Sequence, residues 1–409
     1  MRVKASASRL PATYWRFLFA TGADNIGTGA YVAAAPLVAV TLTSDPRLVT
    51  AISTATYLPW LLLSLPAGTL VDRVDRIGLM WRTQAVAAVL VAITAGLVAL
   101  DRISILTLAV MAFALGVCDV VSGNAAQAVL PGIVPRHLLH QANGNHQAVV
   151  TAGQQFAGPP LGSGLFAISS ALPFVVDACS FAMSASLLAT VPRTPQPGRE
   201  RQSMRAAMGS GLRWLRGHRL LRTLAALLGF NNFCGQMAYA TLVLLATQTL
   251  HISIAGFGLL LAAAAIGSVF GGLVNARIVR RFGALPSLTA GLIGAALTLV
   301  GMGFSSGPIV LGFFLAANGF AATLWNIVTT TLRQQLVPSE MLGRVNSVYK
   351  MLGWGLIPLG TLTGGLVAHS LGLRAPHLLA GALRGVALLL ALPVLLTSMR
   401  IATVPEPAT

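Results

Sequence analysis

Acidic residues are scarce. The 409-residue chain carries ten Asp and Glu against 27 Lys and Arg, and charged residues make up only 9% of it. Soluble domains carry about 25%, so a chain of this size has too little charge to cover a water-exposed surface. Cysteine is also rare. Cys118, Cys179 and Cys234 all lie inside apolar blocks, with no spacing that suits a metal or a redox pair. The seven histidines form no HExxH or HxH pattern, and no GxxxxGK[ST] loop occurs, which disfavours zinc chemistry and an ATP-driven pump. No cluster of carboxylates and no nucleophile with its base marks an enzyme. No cofactor and no metal are expected.

The net charge of +17 and the isoelectric point near 11.5 suit nucleic-acid binding only when the charges form a patch. Here they are dispersed through short segments between apolar blocks, so no nucleic-acid partner is expected. What the chain has in quantity is apolar sequence, 55% of the total, in runs long enough to cross a bilayer. Lipid supplies no hydrogen-bond partners, so such runs read as helices. The apolar stretch after Met1–Phe17 is too long for the h-region of a cleavable signal and reads as the first span.

Twelve spans are expected, at 14–42, 48–70, 78–100, 104–130, 143–168, 171–191, 219–247, 254–275, 284–305, 308–332, 344–369 and 375–397. Lys and Arg in short loops favour the cytoplasm. Twenty-three fall on one side, among them Arg73, Arg76, Arg280 and Arg281, and three (Arg47, Arg102 and Arg374) on the other; Arg384 lies within the last span. That split predicts cytoplasmic termini and an inner-membrane, multi-pass protein, with bundles at 1–191 and 219–409 joined by a cytoplasmic linker at 192–218. The linker opens with a helix-breaking PRTPQPG. From Ser203 to His218, Met204, Met208, Leu212 and Leu215 recur at helical spacing between arginines, which fits a basic amphipathic helix on the inner leaflet.

The two halves repeat. GTLVDRVDR begins at Gly68 and GGLVNARIVRRFG at Gly271; the pattern V-P-x-x-x-L-x-x-x-N spans 134–143 and again 337–346. Both pairs are offset by 203 residues. A six-plus-six repeat is a common build of secondary transporters, with a solute site near the midplane. The loop Gly68-Thr-Leu-Val-Asp72-Arg73-Val-Asp-Arg76 resembles the G-x-L-x-D-R-x-x-R motif of the major facilitator superfamily. GPPLGSGL at 158–165, with Gly158, Pro159 and Gly162, is similar to the G-P-x-x-G-G motif of that superfamily's exporters. LPWLLLSLPAGTLVDRVDR (58–76) and the stretch 130–181 resemble the enterobactin-exporter-like and macrolide-efflux-like permeases. The resemblance implies an all-α membrane fold of two pseudo-symmetric six-helix bundles and export of a drug-like or secondary-metabolite solute by alternating access. Import of a small solute is the alternative. The expected partners are the solute, the bilayer and coupled protons, and the expected state is a monomer. Three departures stand out: Asn275 and Ala276 replace Asp72 and Arg73 in the second copy, span four has no arginine, and span one has Asn25-Ile-Gly-Thr28-Gly29 where the branch has an acidic stretch.

Ionisable residues inside spans are costly and mark functional sites. Asp24, Asp119 and Asp177 qualify; shifted by 203 they become Leu227, Ala322 and Ala380, so any proton coupling belongs to the first half. Asp24 reads either as a proton or cation site or as a packing acid held by a neighbouring amide. Asp119, expected in the inner third of span four, is the predicted partner of Arg73 or Arg76 in an inward-gate latch with Gly68 and Asp72. Asp72 is expected near a helix N-terminus. Asp177 reads as an interfacial or structural acid. The glycines of span five, Gly153, Gly158, Gly162 and Gly164, are expected to allow close helix approach at the half–half interface, and Pro159 and Pro160 to kink it. Solute contacts are expected from Asn231, Asn232 and Gln236 in span seven and from Trp325 and Asn326 in span ten; interhelical hydrogen bonding explains buried amides equally well.

Overall fold

The computed structural model describes residues 10–71, 74–192 and 204–402, and these form helices with no strand among them. The first six spans are α1 (Ala12–Leu42), α2 (Pro46–Val71), α3 (Arg76–Ala99), α4 (Ile105–Ile133), a broken span of α5 (Leu139–Thr151) and α6 (Gly158–Ile168), and α7 (Leu172–Ala189). The linker contributes α8 (Met204–Gly217). After it come α9 (Arg219–Tyr239) with the short α10 (Leu242–Leu244), α11 (Ile254–Phe282), α12 (Ala284–Phe304), α13 (Pro308–Leu336), the consecutive α14 (Ser339–Gly355) and α15 (Ile357–Leu371), and α16 (Ala375–Ala402). Nine stretches among the described residues are individually long and apolar enough to cross a bilayer. With α2, the α5–α6 pair and the α9–α10 run, the count agrees with twelve spans.

The surface is the reverse of a soluble one. Phe19, Leu106, Ile168, Leu259, Phe313 and Leu390 are all more than 60% exposed, a pattern that water would penalise and lipid does not.

The 203-residue repeat is visible in the helix boundaries. Shifting α4 (105–133) by 203 gives 308–336, the bounds of α13. The capping residues Val134 and Val337 return their N–H groups to Leu130 and Arg333, again 203 apart. Each half also ties its first span to its fifth through a tyrosine. Tyr14 donates to the Ala142 carbonyl at 3.1 Å, and Tyr349 donates to the Leu221 carbonyl at 2.6 Å. The copies diverge at the loop motif. α2 ends at Val71 and α3 restarts on the N-cap Asp75, whereas α11 runs on unbroken to Phe282 and stops at Gly283, φ +86°. Ile278 stands where Asp75 does, so the second copy lacks the cap that restarts a helix.

Contacts group the chain into two compact units: the described residues of Met1–Ala35 with Leu62–Glu200, and those of Pro36–Leu61 with Arg201–Thr409. In the second unit, the first half of α2 lies along α14 and α15. Thr54 and Thr361 hydroxyls meet at 2.8 Å, Trp60 packs on Trp354 with ring centroids 4.9 Å apart, and Lys350 Nζ sits 4.7 Å over the Trp60 ring. Before α2, hydrogen bonds and charge from Arg47 hold the half-buried Asp45 carboxyl down at about 2.

α8 forms where the linker reading expected a helix, but its expected apolar stripe is split. Leu215 is 2% exposed, in a cluster with Leu221, Val345, Val348 and Tyr349, and Gly211 abuts the Arg344 backbone. Leu212 points away, 39% exposed. This helix therefore docks on α14 through Gly211 and Leu215, one of the stripe residues, while the side chains of Met204 and Met208 lie outside the described residues.

The span-five glycines pack against α1 of their own unit. A Cβ at Gly158 would lie 2.5 Å from the Gly29 Cα, and one at Gly162 2.6 Å from the Ala30 Cα, while Gly164 meets nothing within 4 Å. The predicted kink appears as a π-helical turn at Ala152–Ala157 just before Pro159 and Pro160. Proline offers no N–H and its ring crowds the carbonyl four residues back, which widens the preceding turn. Gly162→Leu is expected to lower stability by about 1–3 kcal/mol through overpacking, read as a lower melting temperature in detergent. Gly164→Leu should melt like the parent.

Candidate functional site

The first unit gathers polar groups around Asp24. The Asp24 carboxylate accepts from Asn25 Nδ2 at 2.7 Å through Oδ1. Through Oδ2 it accepts from Gln84 Nε2 of α3 and from Ser184 Oγ of α7, the latter at 3.5 Å. Three elements, α1, α3 and α7, thus converge on one carboxylate that is itself half-buried, with Gln84 3% and Ser184 0% exposed. No Lys or Arg among the described residues is within ion-pair distance of Asp24. A carboxyl held only by neutral donors can take up and release a proton without breaking a salt bridge.

Asp119 stands at the midpoint of α4, fourteen residues from either end, rather than in its inner third. Arg76, the first residue of α3, sends Nη1 to the Ala128 carbonyl at 3.0 Å. Ala128 is nine residues beyond Asp119, about 13 Å of helix rise. Asp72 and Arg73 lie outside the described residues, and Gly68 sits in the last turn of α2. The acid seen at a helix N-terminus is Asp75, which N-caps α3 by accepting from the Gly78 N–H at 3.0 Å. Asp75 was not singled out, although an Asp three residues before the first helical N–H is a cap signal.

Asp177 is not interfacial. It is 1% exposed, pressed on Gly27, with Ser180 Oγ donating to its Oδ1 at 3.4 Å and no partner for Oδ2. Gln84 and Ser184, the donors to Asp24, were missed; a polar amide in an apolar span was the available signal.

In the second unit the expected solute contacts separate. Asn231 is 8% exposed, and Asn232 donates to the Gly353 carbonyl at 2.8 Å. Gln236 is half-buried on the same helix. Trp325 is 5% exposed in a core with Leu224, Leu288 and Val328, so a solute could reach it only if that core opened; Asn326 is exposed. Asn275, the counterpart of Asp72, is 6% exposed and its Nδ2 has no acceptor. A cavity of about 900 Å³ lies among α11, α12 and α13, walled by Phe270, Phe313 and Phe320, and none of the expected solute residues lines it.

A family model described as transmembrane secretion effector matches residues 6–407. The chain belongs to that family, within the major facilitator superfamily. It is 28% identical over 231 residues to the enterobactin exporter EntS of Salmonella typhi, covering 55% of this chain and 54% of that one. It thus spans about half the length of that relative. To macrolide efflux protein A of Streptococcus pyogenes it is 23% identical over 338 residues, 80% and 82% of the two chains. Among solved structures it is similar to a bacterial homologue of the human lysosomal transporter Spinster (TM-score 0.71, 14% identity, 96% and 99% covered). A bacterial homologue of the iron transporter ferroportin gives a TM-score of 0.70 at 16% identity, with 92% and 98% covered. At these identities the structures speak for the fold alone. The chain is a multi-pass membrane protein of that superfamily.

Gln84→Leu should cost about 1–3 kcal/mol, because it strips a donor from a carboxylate that lipid cannot solvate. The double variant Asp24→Asn/Gln84→Leu should lose less than the sum of the single losses in detergent melting curves, as coupled partners do.

Proposed function

We propose that this chain is a secondary exporter in the inner membrane, with both termini cytoplasmic, moving a mid-sized amphipathic solute outward by alternating access and taking protons inward through Asp24. The observation that carries the coupling is the Asp24 carboxylate held by Asn25, Gln84 and Ser184 with no cationic partner among the described residues. Its helix, α1, is the one against which the span-five glycines press. A change in protonation there is therefore poised to shift the packing of α1 on α6. The names of the relatives, an enterobactin exporter and a macrolide efflux protein, favour outward movement over import.

The loop from Gly68 to Arg76 is proposed as the gate latch, with Asp72, Arg73 and Arg76, and Asp119 of α4 as partner of Arg73 or Arg76, exchanging charge-assisted hydrogen bonds that form in one state of the cycle and break in the other. Asn231, Asn232, Gln236 and Asn326 are proposed as polar contacts for the solute, with Trp325 reached only in a state that opens its core. Gly158, Pro159 and Gly162 are proposed to keep α6 tight on α1 and so limit leak.

Two outcomes test this reading in efflux-deficient cells expressing the full chain and screened with a panel of macrolides and catecholate siderophores. Asp24→Asn should remove the protonophore-sensitive part of efflux at equal membrane expression; an unchanged protonophore response would remove Asp24 from coupling. Asp72→Asn and Arg76→Ala should each cut efflux at least tenfold while insertion is unaffected. Parental efflux in both would end the latch proposal.

A further inference from the structure

Arg384 is the charge that none of the above uses. It lies nine residues into α16, about 14 Å of rise from the start of that helix, within the membrane-spanning part. Arginine does not lose its proton in proteins, so a full positive charge stands at this depth. Its Nη2 donates to the Asn231 main-chain carbonyl of α9 at 2.6 Å, and that carbonyl is the one acceptor it meets among the described residues. Nε is sealed from solvent without a partner. Five N–H donors are thus served by one oxygen.

The second unit has three acids, Asp45, Glu340 and Glu406, and no carboxylate among its described residues is within ion-pair distance of Arg384. No Asp or Glu occurs from Arg201 to Ser339 or from Met341 to Pro405. Asp45, which belongs to the unit, is committed to Arg47 at 2.8 Å. Around Arg384 the helices are built to admit it. Gly235 leaves room where a Cβ would lie 2.7 Å from Nη2. Nearby, a polar chain runs from the Tyr239 hydroxyl to Asn318 Oδ1 at 3.2 Å and from Asn318 Nδ2 to Thr298 Oγ1 at 2.8 Å. Arg384 itself stays partly exposed, so the open side of the guanidinium is reachable.

A permanently charged planar fork in lipid, with most donors empty and no carboxylate to meet it, matches a ligand that brings its own anionic oxygens. We infer that Arg384 is the binding residue for a carboxylate or similar oxyanion on the transported solute, beside the polar contacts proposed for Asn231 and Asn232. The inference rests on the export reading and narrows its substrate class to organic anions. A phospholipid phosphate offers the same oxygens, and the test separates the two sources.

The full-length chain in phosphatidylcholine nanodiscs is titrated with dansylglycine and with its uncharged counterpart dansylglycinamide. The parent should bind the carboxylate at least tenfold tighter than the amide. Arg384→Gln should bind both alike, at the parental affinity for the amide. Gly235→Ala, which keeps the charge but crowds Nη2, should cut the preference at least threefold, and it decides the matter if the glutamine variant fails to fold. Equal affinities in the parent, including no binding of either probe, or a preference that survives in Gly235→Ala and Arg384→Gln, overturn the inference. Discs containing phosphatidylglycerol should leave the preference unchanged; its loss there, with that lipid retained by the parent and not by Arg384→Gln, assigns the site to lipid and also overturns it. No gradient enters these titrations. Discrimination without cellular efflux would fault the export reading alone, and efflux without discrimination would fault the anion site alone.

Discussion

Hydrocarbon offers no partner for a polar group, and every feature of this chain follows from that constraint. Backbone N–H and C=O groups close on themselves in helices because an open strand or loop would leave them bare. The exterior is apolar, with Phe19, Ile168 and Leu390 more than 60% exposed, while serine and threonine hydroxyls mostly return to carbonyls three or four residues back, as in Thr21 to Phe17 and Thr298 to Ala295. Where helices must touch, glycine removes the side chain, so that α6 meets α1 backbone to backbone at Gly158 and Gly162. Where the ladder breaks, at Pro159 and Pro160, the break is absorbed in a π turn within the span.

Against that background, charge within the spans is informative because it is expensive, and it is distributed unevenly. The spans of the first unit hold three acids, Asp24, Asp119 and Asp177, on α1, α4 and α7. The spans of the second hold no acid but keep Arg384 against α9. An ancestral duplication explains the shared frame, since α13 repeats the bounds of α4 at an offset of 203. The polar residues have diverged on that frame. The proposed roles divide along the same line, proton handling in the first unit and solute charge in the second. It also suits export energetically: a negative-inside potential drives anions outward by about 2.3 kcal/mol per charge per 100 mV.

Much of the architecture was legible in the sequence because hydropathy and loop charge report a physical requirement that no tertiary contact can override. Span positions, the repeat and the break at Pro159 are of this kind. What the sequence did not reveal depends on which face of a helix meets which neighbour. Of the expected stripe Met204, Met208, Leu212 and Leu215, Leu215 is buried against α14 and Leu212 is exposed, while Gly211, outside the stripe, meets the Arg344 backbone. Asp177 reads from its place near a span end as an interfacial or a structural acid, and its enclosure against Gly27 fits the structural one. Trp325 looked like a cavity residue and is packed in the core. Asn25, one donor to Asp24, is its neighbour in sequence, but the other two come from residues 60 and 160 positions away, a separation that single-chain periodicity cannot bridge.

The claim on which the rest depends is that solute and protons cross in exchange, and proton movement measures it most directly. The purified chain is reconstituted into proteoliposomes that enclose a pH-sensitive dye, and dansylglycine is added outside. Exchange predicts that the lumen becomes more alkaline as the anion enters, with a rate that saturates in dansylglycine and vanishes in empty liposomes. Dansylglycine uptake that proceeds with no change in luminal pH would contradict it.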